Sequence, residues 1–182
     1  MAPSNGQVFW IFGLSGAGKS TVASALIEEL RNRHIAVLEL DGDTLRSGLC
    51  RGLGFSDQDR TENLRRAAEV ARLGADSGLF VVASFITPLE SHRNLIREVI
   101  GDDRTSMIFA DAPLEVCRQR DVKGLYTRAK AGQVQQMTGI GSLFEAPSPS
   151  HIDLNLPTAT FSPDASARML QDYVMPRIHP SK

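Results

Sequence analysis

Short apolar runs alternate along this chain with longer segments in which apolar residues recur at helical spacing. The five runs are Val8–Phe12, Ala36–Leu40, Leu79–Ala83, Met107–Ala110 and Ile152–Leu156. Apolar runs of this length, rich in β-branched and aromatic residues, are typical of strands buried on both faces of a parallel sheet. Their alternation with helical segments predicts an α/β fold of three layers, with helices covering both faces of a five-stranded parallel sheet.

Helical spacing predicts the elements between the strands. The predicted helices are Thr21–Arg33, Gln58–Ser77, Leu89–Ile100 and Leu114–Arg120. A last helix is predicted to begin with Ser162 as its N-cap and Pro163 in its first turn, and to end at Pro176. Residues 121–150 show no clear period. Because irregular segments of this length in a compact domain are usually functional or mobile, we predict that residues 121–150 form a lid.

The strongest chemical signal lies between the first strand and the first helix. This segment fits the pattern G-x-x-x-x-G-K-[ST], which predicts a phosphate-binding loop when it follows a strand and opens a helix. The predicted ATP-binding residues here are Gly13, Leu14, Ser15, Gly16, Ala17, Gly18, Lys19, Ser20 and Thr21. The glycines let backbone N–H groups turn towards phosphate, and the helix N-terminus adds a partial positive charge. Lys19 is predicted to reach the terminal phosphates, and the Ser20 hydroxyl to bind Mg²⁺.

A phosphate-binding loop occurs in kinases, switch GTPases and motor ATPases, so other positions must separate these classes. None of the asparagines is followed by lysine, and the Asn-Lys-x-Asp guanine motif of switch GTPases is therefore missing from the sequence. The strand Met107–Ala110 is followed by Asp-Ala, not by the acidic pair expected of a motor ATPase. These two observations favour a kinase.

Two carboxylates, Asp41 and Asp43, follow the strand Ala36–Leu40 and are separated by one glycine. Open α/β sheets bind ligands at the carboxyl ends of their strands. Alternation along an extended chain directs Asp41 and Asp43 in similar directions, so both are expected to face a metal and an attacking hydroxyl. A plainer interpretation is that Asp43 caps a helix that begins at Thr44. The two interpretations are compatible.

Basic residues follow these carboxylates. The cluster contains Arg46, Arg60, Arg65 and Arg66, close in sequence to Asn63 and Phe55. Bases on one face of a helix are usually just solvated, but guanidinium groups also match the oxygens of phosphate or sulfate. We therefore predict that an anionic second substrate docks here. Phe55 is either an ordinary core residue or a platform on which a base stacks.

Composition narrows the classes of partner. The chain has 182 residues, of which 42% are hydrophobic and 23% charged, which suits one globular domain over residues 1–182. A formal net charge of −1 provides no field for nucleic acid, so no nucleic-acid partner is expected. No apolar stretch reaches the roughly 18 residues that cross a membrane, so we expect a cytoplasmic protein without membrane contact. Cys50 and Cys117 are expected to be free thiols, with Cys117 in the core.

These residues resemble the adenylyl-sulfate kinase (APS kinase) family. The blocks that carry the resemblance lie between Val8 and Pro147 and are GLSGAGKST, LDGDTLRSGLCRGLGFSDQDRTENLRR, SFITP, PLEVCRQRD, KGLY, AKAG, TGI and EAP. Their order and spacing together are highly specific. The resemblance implies a P-loop NTPase fold of the nucleoside-monophosphate-kinase kind. It also implies transfer of the ATP γ-phosphoryl group to the 3′-hydroxyl of adenosine 5′-phosphosulfate (APS), with Mg²⁺ as cofactor. The product would be 3′-phosphoadenosine 5′-phosphosulfate (PAPS), made in sulfate assimilation.

The resemblance assigns roles by motif position. It implies four catalytic residues, which are Lys19, Asp41, Asp43 and Thr87, and a metal site made by Ser20 and Asp41. It adds Arg120 and Lys123 to the ATP-binding residues. The implied substrate-binding residues are Asp43, Arg46, Phe55, Arg60, Asn63, Phe85, Ile86, Lys123, Gly124, Leu125 and Met137, with Phe55 stacking on the adenine. A homodimer is also implied, and association with ATP sulfurylase is a further expectation.

Several positions depart from the family pattern. Met137 replaces a phenylalanine, so one aromatic wall of the base pocket becomes a thioether, and nearby Gly141 and Phe144 replace an aspartate and a tyrosine. Thr87 replaces a serine that is sometimes proposed to carry phosphate, and Val122 replaces a lid proline. Because stacking contributes roughly 1–3 kcal/mol per base, weaker binding of the acceptor is the expected consequence.

Two alternatives stay open at this point. One is a kinase of the same fold that acts on a different nucleotide or small anionic acceptor. The changes at Met137 and Gly141 favour it, because they lie where the base of the acceptor is expected to contact the protein. The other is a nucleotide-binding regulatory domain without catalysis. That alternative is disfavoured because Lys19, Asp41 and Asp43 are all retained.

Overall fold

One parallel sheet organises the computed structural model, which describes residues 6–132 and 137–178. Its strands are β1 (Val8–Phe12), β2 (Val37–Asp41), β3 (Phe80–Phe85), β4 (Thr105–Ala110) and β5 (Leu154–Leu156). Their order is β2-β3-β1-β4-β5, and all four pairings are parallel. The predicted five-stranded parallel sheet is confirmed, and β1 lies at its centre.

Helices fill the connections between the strands. The described residues contain α1 (Lys19–Asn32), α2 (Gly42–Ser47), α3 (Asp57–Asp76), α4 (Glu90–Ile100), α5 (Leu114–Arg120), α6 (Leu125–Lys130) and α7 (Pro163–Ile178). Short 3-10 turns cover Asp102–Arg104 and Pro149–His151. The five helices predicted from periodicity are confirmed, with ends that differ by no more than two residues. The short helix α6 was not predicted, and α2 was anticipated only in the alternative interpretation of Asp43 as the cap of a helix that begins at Thr44.

The two faces of the sheet support separate apolar cores. On one face Phe9 and Ile11 pack with residues of α1 and α7, and on the other Trp10 and Phe12 pack with residues of α3 and α4. All five residues of β1 are fully buried, as expected for a central strand covered on both sides. Since each buried large apolar side chain contributes about 1.5–3 kcal/mol, β1 is held firmly, and so is the loop that follows it.

Two predictions about local structure are wrong. Helix α7 does not end at Pro176 but continues to Ile178, whose side chain is buried in the core. A proline in the last turn removes only one backbone hydrogen bond, which the packing of Ile178 offsets. The segment 121–150 is also not irregular throughout, because it contains α6. The Asp121 carboxylate accepts hydrogen bonds from the backbone N–H groups of Tyr126 and Thr127 and so caps this helix.

Three further observations complete the fold. Both cysteines are free and buried, which confirms the prediction for Cys117, and burial raises the pKa of its thiol. Ser162 caps α7 as predicted, because its hydroxyl accepts a hydrogen bond from the Ala165 N–H. No helix in the described part of the chain has the length and apolarity that a membrane crossing requires.

Candidate active site

Glycine is required in the loop between β1 and α1 because the backbone passes very close to its neighbours. Gly13 has φ of +148°, and a Cβ atom there would lie 2.6 Å from the carbonyl oxygen of Ala110. Gly16 has φ of +78°, and its Cβ would lie 3.0 Å from the carbonyl oxygen of Cys117. Side chains at these positions would clash or strain the backbone. The loop therefore has the tight conformation that a phosphate-binding loop needs.

Side chains from three other segments brace this loop. Thr158 donates its hydroxyl hydrogen to the carbonyl of Ala17 at 2.7 Å, and the Tyr126 hydroxyl donates to the carbonyl of Ser15 at 2.9 Å. Arg120 donates to the carbonyl of Gly16 at 3.3 Å and to that of Thr158 at 2.6 Å. The loop is consequently fixed by the end of α5, by α6 and by the turn after β5.

Lys19 begins α1 and has no acidic side chain in direct contact among the described residues. Its ammonium group donates to the carbonyl of Leu14 at 2.7 Å. Burial, together with the positive charge of Lys123, lowers the pKa of Lys19 to about 8. A bound polyphosphate would supply the missing counter-charge. The position of Lys19 at the loop and its lowered pKa are both those expected of a lysine whose partner is a bound anion.

A cavity of about 520 Å³ opens beside the loop, within the size range of small-molecule sites. Its charged lining consists of the bases Lys19, Arg46, Arg60, Arg120 and Lys123 and the acids Asp41, Asp43 and Asp121. Bases outnumber acids here although the whole chain carries a net charge of −1. The excess of positive charge therefore belongs to the cavity, which suits anionic ligands.

Most of the predicted site residues line this cavity. They are Ser15, Gly16, Gly18, Lys19, Ser20, Thr21, Asp41, Asp43, Arg46, Phe55, Arg60, Asn63, Phe85, Ile86, Thr87, Arg120, Lys123, Leu125 and Met137. Gly13, Leu14, Ala17 and Gly124 do not. Gly13 instead donates its N–H to the carbonyl of Ile86 at 3.3 Å, and Leu14 packs in the core. Gly13 and Leu14 therefore support the conformation of the loop without lining the cavity.

The two aspartates differ in their surroundings. The prediction that strand alternation aligns them is wrong, because β2 ends at Asp41 and Asp43 already lies in α2. The helix cap is Asp41, not Asp43. The Asp41 carboxylate accepts hydrogen bonds from the N–H groups of Asp43 and Thr44 at 3.0 and 3.1 Å and from the Ser84 hydroxyl at 3.2 Å. Asp41 is therefore fixed, whereas the Asp43 side chain is 70% exposed and pairs only with Lys123 among the described groups.

Arg46 and Arg60 flank the ring of Phe55, with guanidinium carbons 4.5 and 5.6 Å from the ring centroid. Arg46 also donates to the carbonyl of Gly54 at 2.9 Å, and Arg60 to that of Phe55 at 2.9 Å. Burial lowers the pKa of both guanidinium groups. Both stay charged at neutral pH, and an anion brought into the cavity would stabilise them. Arg46 and Arg60 therefore fix the backbone at Gly54 and Phe55 and place positive charge next to the Phe55 ring.

The arginine cluster is smaller than the sequence predicts. Arg65 and Arg66 lie on the outer side of α3, where both pair with Glu62, and neither lines the cavity. Arg60 and Asn63 are three residues apart and share the inner side of α3, where both are buried. Helical periodicity explains the division, since residues three apart share a face and those five or six from Arg60 do not.

Buried polar atoms without partners point to two places where a ligand binds. In the part of the chain that the structure describes, three buried side-chain atoms lack a hydrogen-bond partner: Asn63 Nδ2, His92 Nδ1 and Ser166 Oγ. Asn63 and Ser166 both line the cavity. Because buried polar groups are rarely left unpaired, a ligand that reaches both Asn63 and Ser166 would satisfy them.

Sequence reasoning missed several cavity residues. They are Val22, Gly42, Leu64, Ser84, Pro88, Asp121, Val122, Tyr126, Thr138, Thr158, Phe161, Pro163 and Ser166. Thr158 follows β5, and the rule that ligands bind at the carboxyl ends of strands would have found it. Phe161 and Ser166 carry no such signal. They reach the cavity only because α7 packs beside α1.

The donor set near Ser20 and Asp41 fits Mg²⁺. Among the described residues no group of three or more acidic, histidine or cysteine side chains forms a ready-made metal cage. Mg²⁺ does not need one, because it keeps several waters and binds through one or two carboxylates together with substrate phosphates. An exposed serine hydroxyl at the start of α1 and the fixed carboxylate of Asp41 supply such a set.

Fold and site together define a P-loop kinase. The sequence model of the adenylylsulphate kinase family matches residues 5–155, and the chain belongs to this family. The resemblance found in the sequence is thereby confirmed, and with it the enzyme class, an adenylyl-sulfate kinase.

Solved structures agree with this family. The APS kinase CysC of Mycobacterium tuberculosis, in complex with AMPPNP and APS, is 43% identical over 95% of this chain and 99% of its own, with a TM-score of 0.89. A hexameric APS kinase from Thiobacillus denitrificans is 25% identical over 97% of this chain and 30% of its own, with a TM-score of 0.69. A sugar kinase from a Janibacter species shares the fold alone, at 21% identity over 96% of each chain and a TM-score of 0.68.

Proposed function

We propose that this enzyme transfers the γ-phosphoryl group of ATP to the 3′-hydroxyl of APS and releases PAPS and ADP, as a step of sulfate assimilation. The observation that carries the proposal is the cavity itself. It joins the phosphate-binding loop to an anion-friendly end made by Phe55, Arg46 and Arg60. The mycobacterial relative that binds AMPPNP and APS supports both substrates.

The two ends of the cavity suit two nucleotides. We assign the ATP base to the part of the cavity lined by Arg120, Phe161 and Ser166, which supply a planar guanidinium, an aromatic ring and an unpaired hydroxyl. We assign the acceptor adenine to Phe55, and the phosphosulfate group to Arg46, Arg60 and Asn63. The triphosphate then lies between the two bases, along the phosphate-binding loop.

In the proposed reaction the 3′-oxygen forms a bond to the γ-phosphorus as the bond to the β–γ bridging oxygen breaks. Lys19 neutralises charge on the transferred group and on the ADP that leaves. The Asp43 carboxylate orients the hydroxyl and takes its proton, because the Asp41 carboxylate already accepts four hydrogen bonds. Asp41 and Ser20 would hold Mg²⁺, which neutralises phosphate oxygens when bound. Most of the catalytic effect comes from placement and charge neutralisation.

Phosphorylation of an acceptor other than APS is the second candidate function. Met137 is nine-tenths buried and packs in the core, so the base pocket has a flexible thioether where the family has an aromatic ring. The sugar kinase of the same fold illustrates that the fold does not fix the acceptor.

We further propose that residues 1–182 are one kinase domain with residues 121–150 as its lid, and that the enzyme is cytoplasmic and forms a homodimer. A relative that assembles as a hexamer supports self-association. Light scattering after size-exclusion chromatography tests the dimer, and addition of ATP sulfurylase tests the predicted association with that enzyme.

An acceptor panel tests the proposed reaction. Purified enzyme with ATP and Mg²⁺ is given APS, AMP, GMP or gluconate, and the products are followed by phosphorus NMR. We expect a new 3′-phosphomonoester only with APS, and none with the Lys19→Ala variant. Saturable turnover of another acceptor, without turnover of APS, would replace this proposal by the second candidate.

A further inference from the structure

Trp10, the single tryptophan of the chain, lies directly beneath the acceptor side of the cavity. It is fully buried in β1, and its ring stacks on Phe85 with centroids 4.8 Å apart and an interplanar angle of 18°. Its indole N–H donates to the hydroxyl oxygen of Thr87 at 2.9 Å. Phe85 and Thr87 both line the cavity, whereas Trp10 does not.

Thr87 needs this support because its backbone is strained. Its φ of +45° lies in the left-handed region, which is unfavourable for a β-branched residue. Such strain persists only where the surroundings enforce it. A second contact is made by Arg93, which donates to the Thr87 carbonyl at 3.3 Å. Arg93 is 1% exposed and also donates to the carbonyl of Glu145 at 3.1 Å.

The same segment is tied to the phosphate-binding loop. The carbonyl of Ile86 accepts a hydrogen bond from the Gly13 N–H at 3.3 Å. A shift of Thr87 would therefore move the acceptor wall relative to the loop that holds the phosphoryl donor. In-line transfer is sensitive to displacements of about 1 Å, so the position of this segment matters for the reaction.

We propose that Trp10 is a positioning residue that acts through Thr87, and that the Thr87 hydroxyl is an anchor for the acceptor wall and not a carrier of phosphate. The inference rests on the proposed function, since it assumes that the acceptor binds beside Phe85 and Thr87. Thr87 itself is 1% exposed, and its oxygen is already engaged by the indole. The family's serine would make the same hydrogen bond with less backbone strain.

Kinetics of matched variants test the inference. Trp10→Phe keeps the ring stack and removes the N–H, and Thr87→Val keeps the shape and removes the hydroxyl. We expect each to lower kcat/KM for APS by about tenfold, the equivalent of one charged or well-buried hydrogen bond, with KM for ATP changed less than about twofold. The double variant should be no worse than Thr87→Val alone, since both changes break one contact. Thr87→Ser should retain much more activity than Thr87→Val.

Two controls separate this effect from a general loss of stability. Tyr173→Phe removes a hydrogen bond to Ser106 outside the cavity and should leave both KM values unchanged. The fluorescence emission maximum of Trp10 should shift in the Thr87→Val variant even when no ligand is added, because the indole N–H loses its hydrogen-bond acceptor. If Trp10→Phe does not fold, the Thr87→Val and Thr87→Ser pair carries the test.

The outcomes distinguish this inference from the proposed function. Wild-type kcat/KM for APS in both Trp10→Phe and Thr87→Val would overturn the inference and leave the proposed function standing. Mass-spectrometric detection of phosphate on Thr87 during turnover would also overturn it. Absence of APS turnover in the wild type would overturn the proposed function and this inference together.

Discussion

Lys123, in the segment 121–150 that we propose as a lid, forms an ion pair with Asp43, in the first turn of α2. The two side chains are 52% and 70% exposed, so the pair contributes little to stability and exchanges easily for other partners. Both residues line the cavity beside Lys19. The proposed lid therefore contacts the carboxylate that we assign to the acceptor hydroxyl. We expect ATP phosphates to give Lys123 a stronger partner and to release Asp43.

Replacement of Lys123 tests this exchange. We expect Lys123→Met to raise KM for ATP and lower kcat, with a combined loss of about 10- to 100-fold, because a hydrogen bond to a charged group contributes about 1.5–3 kcal/mol. Lys130→Met, an exposed lysine at the end of α6, is the matched control and should behave as wild type. Equal effects of the two replacements on initial rates would contradict a specific role for Lys123.

The pKa of Lys19 predicts a pH dependence of ATP binding. In the free enzyme this pKa is lowered to about 8, so the ammonium is present below pH 8 and is lost above it. We expect kcat/KM for ATP to fall as the pH rises through 8, while kcat at saturating ATP falls less, since bound phosphates raise the pKa of Lys19 again.

The pH dependence of protein stability is the control for the predicted pH dependence of ATP binding. The folded-state pKa of Lys19 lies below its ordinary value, so the charged form is disfavoured by folding. The contribution of this group to the free energy of unfolding therefore rises between pH 8 and its ordinary pKa. Thermal unfolding of the free enzyme should show no loss from this group over that range. A fall in kcat/KM that simply followed unfolding would refute the assignment.

Two aromatic residues are predicted to report on the two substrates separately. Phe55 and Phe161 are 53% and 45% exposed and both line the cavity, Phe55 just before α3 and Phe161 just before α7. Because a stacked base is worth roughly 1–3 kcal/mol, Phe55→Ala should raise KM for APS by at least about fivefold and leave KM for ATP unchanged. Phe161→Ala should show the reverse selectivity. Initial rates with one substrate varied and the other saturating measure both, and each variant is the control for the other.

Met137→Phe restores the ring that the family pattern has at this position. Met137 is 8% exposed and lies in the cavity wall, so a phenylalanine there adds a second stacking surface. We expect KM for APS to fall by up to about tenfold. Met169→Phe makes the same change on α7, at a core position outside the cavity, and should leave KM for APS unaltered. An unchanged or higher KM in Met137→Phe would mean that the base does not contact this wall.

The sequence predicts the sheet well because its strands are short, unbroken apolar runs, and the long helices well because their apolar residues recur over many turns. It fails for α6 and misplaces the start and the cap of α2. Each of these helices has six residues, and the carboxylates of Asp121 and Asp41 accept hydrogen bonds from the first-turn N–H groups of α6 and α2, respectively. Such short helices have too few residues for a period to be recognised.

The candidate site, like the fold, can be predicted from the sequence only in part. Motif spacing predicts the phosphate-binding loop, the aspartates and Arg60, because these lie in or beside the segments that carry the motifs. Phe161 and Ser166 come from a distant part of the chain and enter the cavity only through tertiary packing. The Trp10–Thr87 hydrogen bond spans 77 residues, and no local pattern predicts it.

The central claim is that APS lies with its adenine on Phe55 and its 3′-hydroxyl towards Asp43 and the phosphate-binding loop. A crystal structure of this enzyme with APS and a non-hydrolysable ATP analogue tests it most directly. The account predicts the APS adenine against Phe55, its phosphosulfate within hydrogen-bond distance of Arg46 and Arg60, and the γ-phosphate of the analogue beside Lys19. An APS adenine bound against Phe161, or a 3′-hydroxyl turned away from Asp43, would contradict the account.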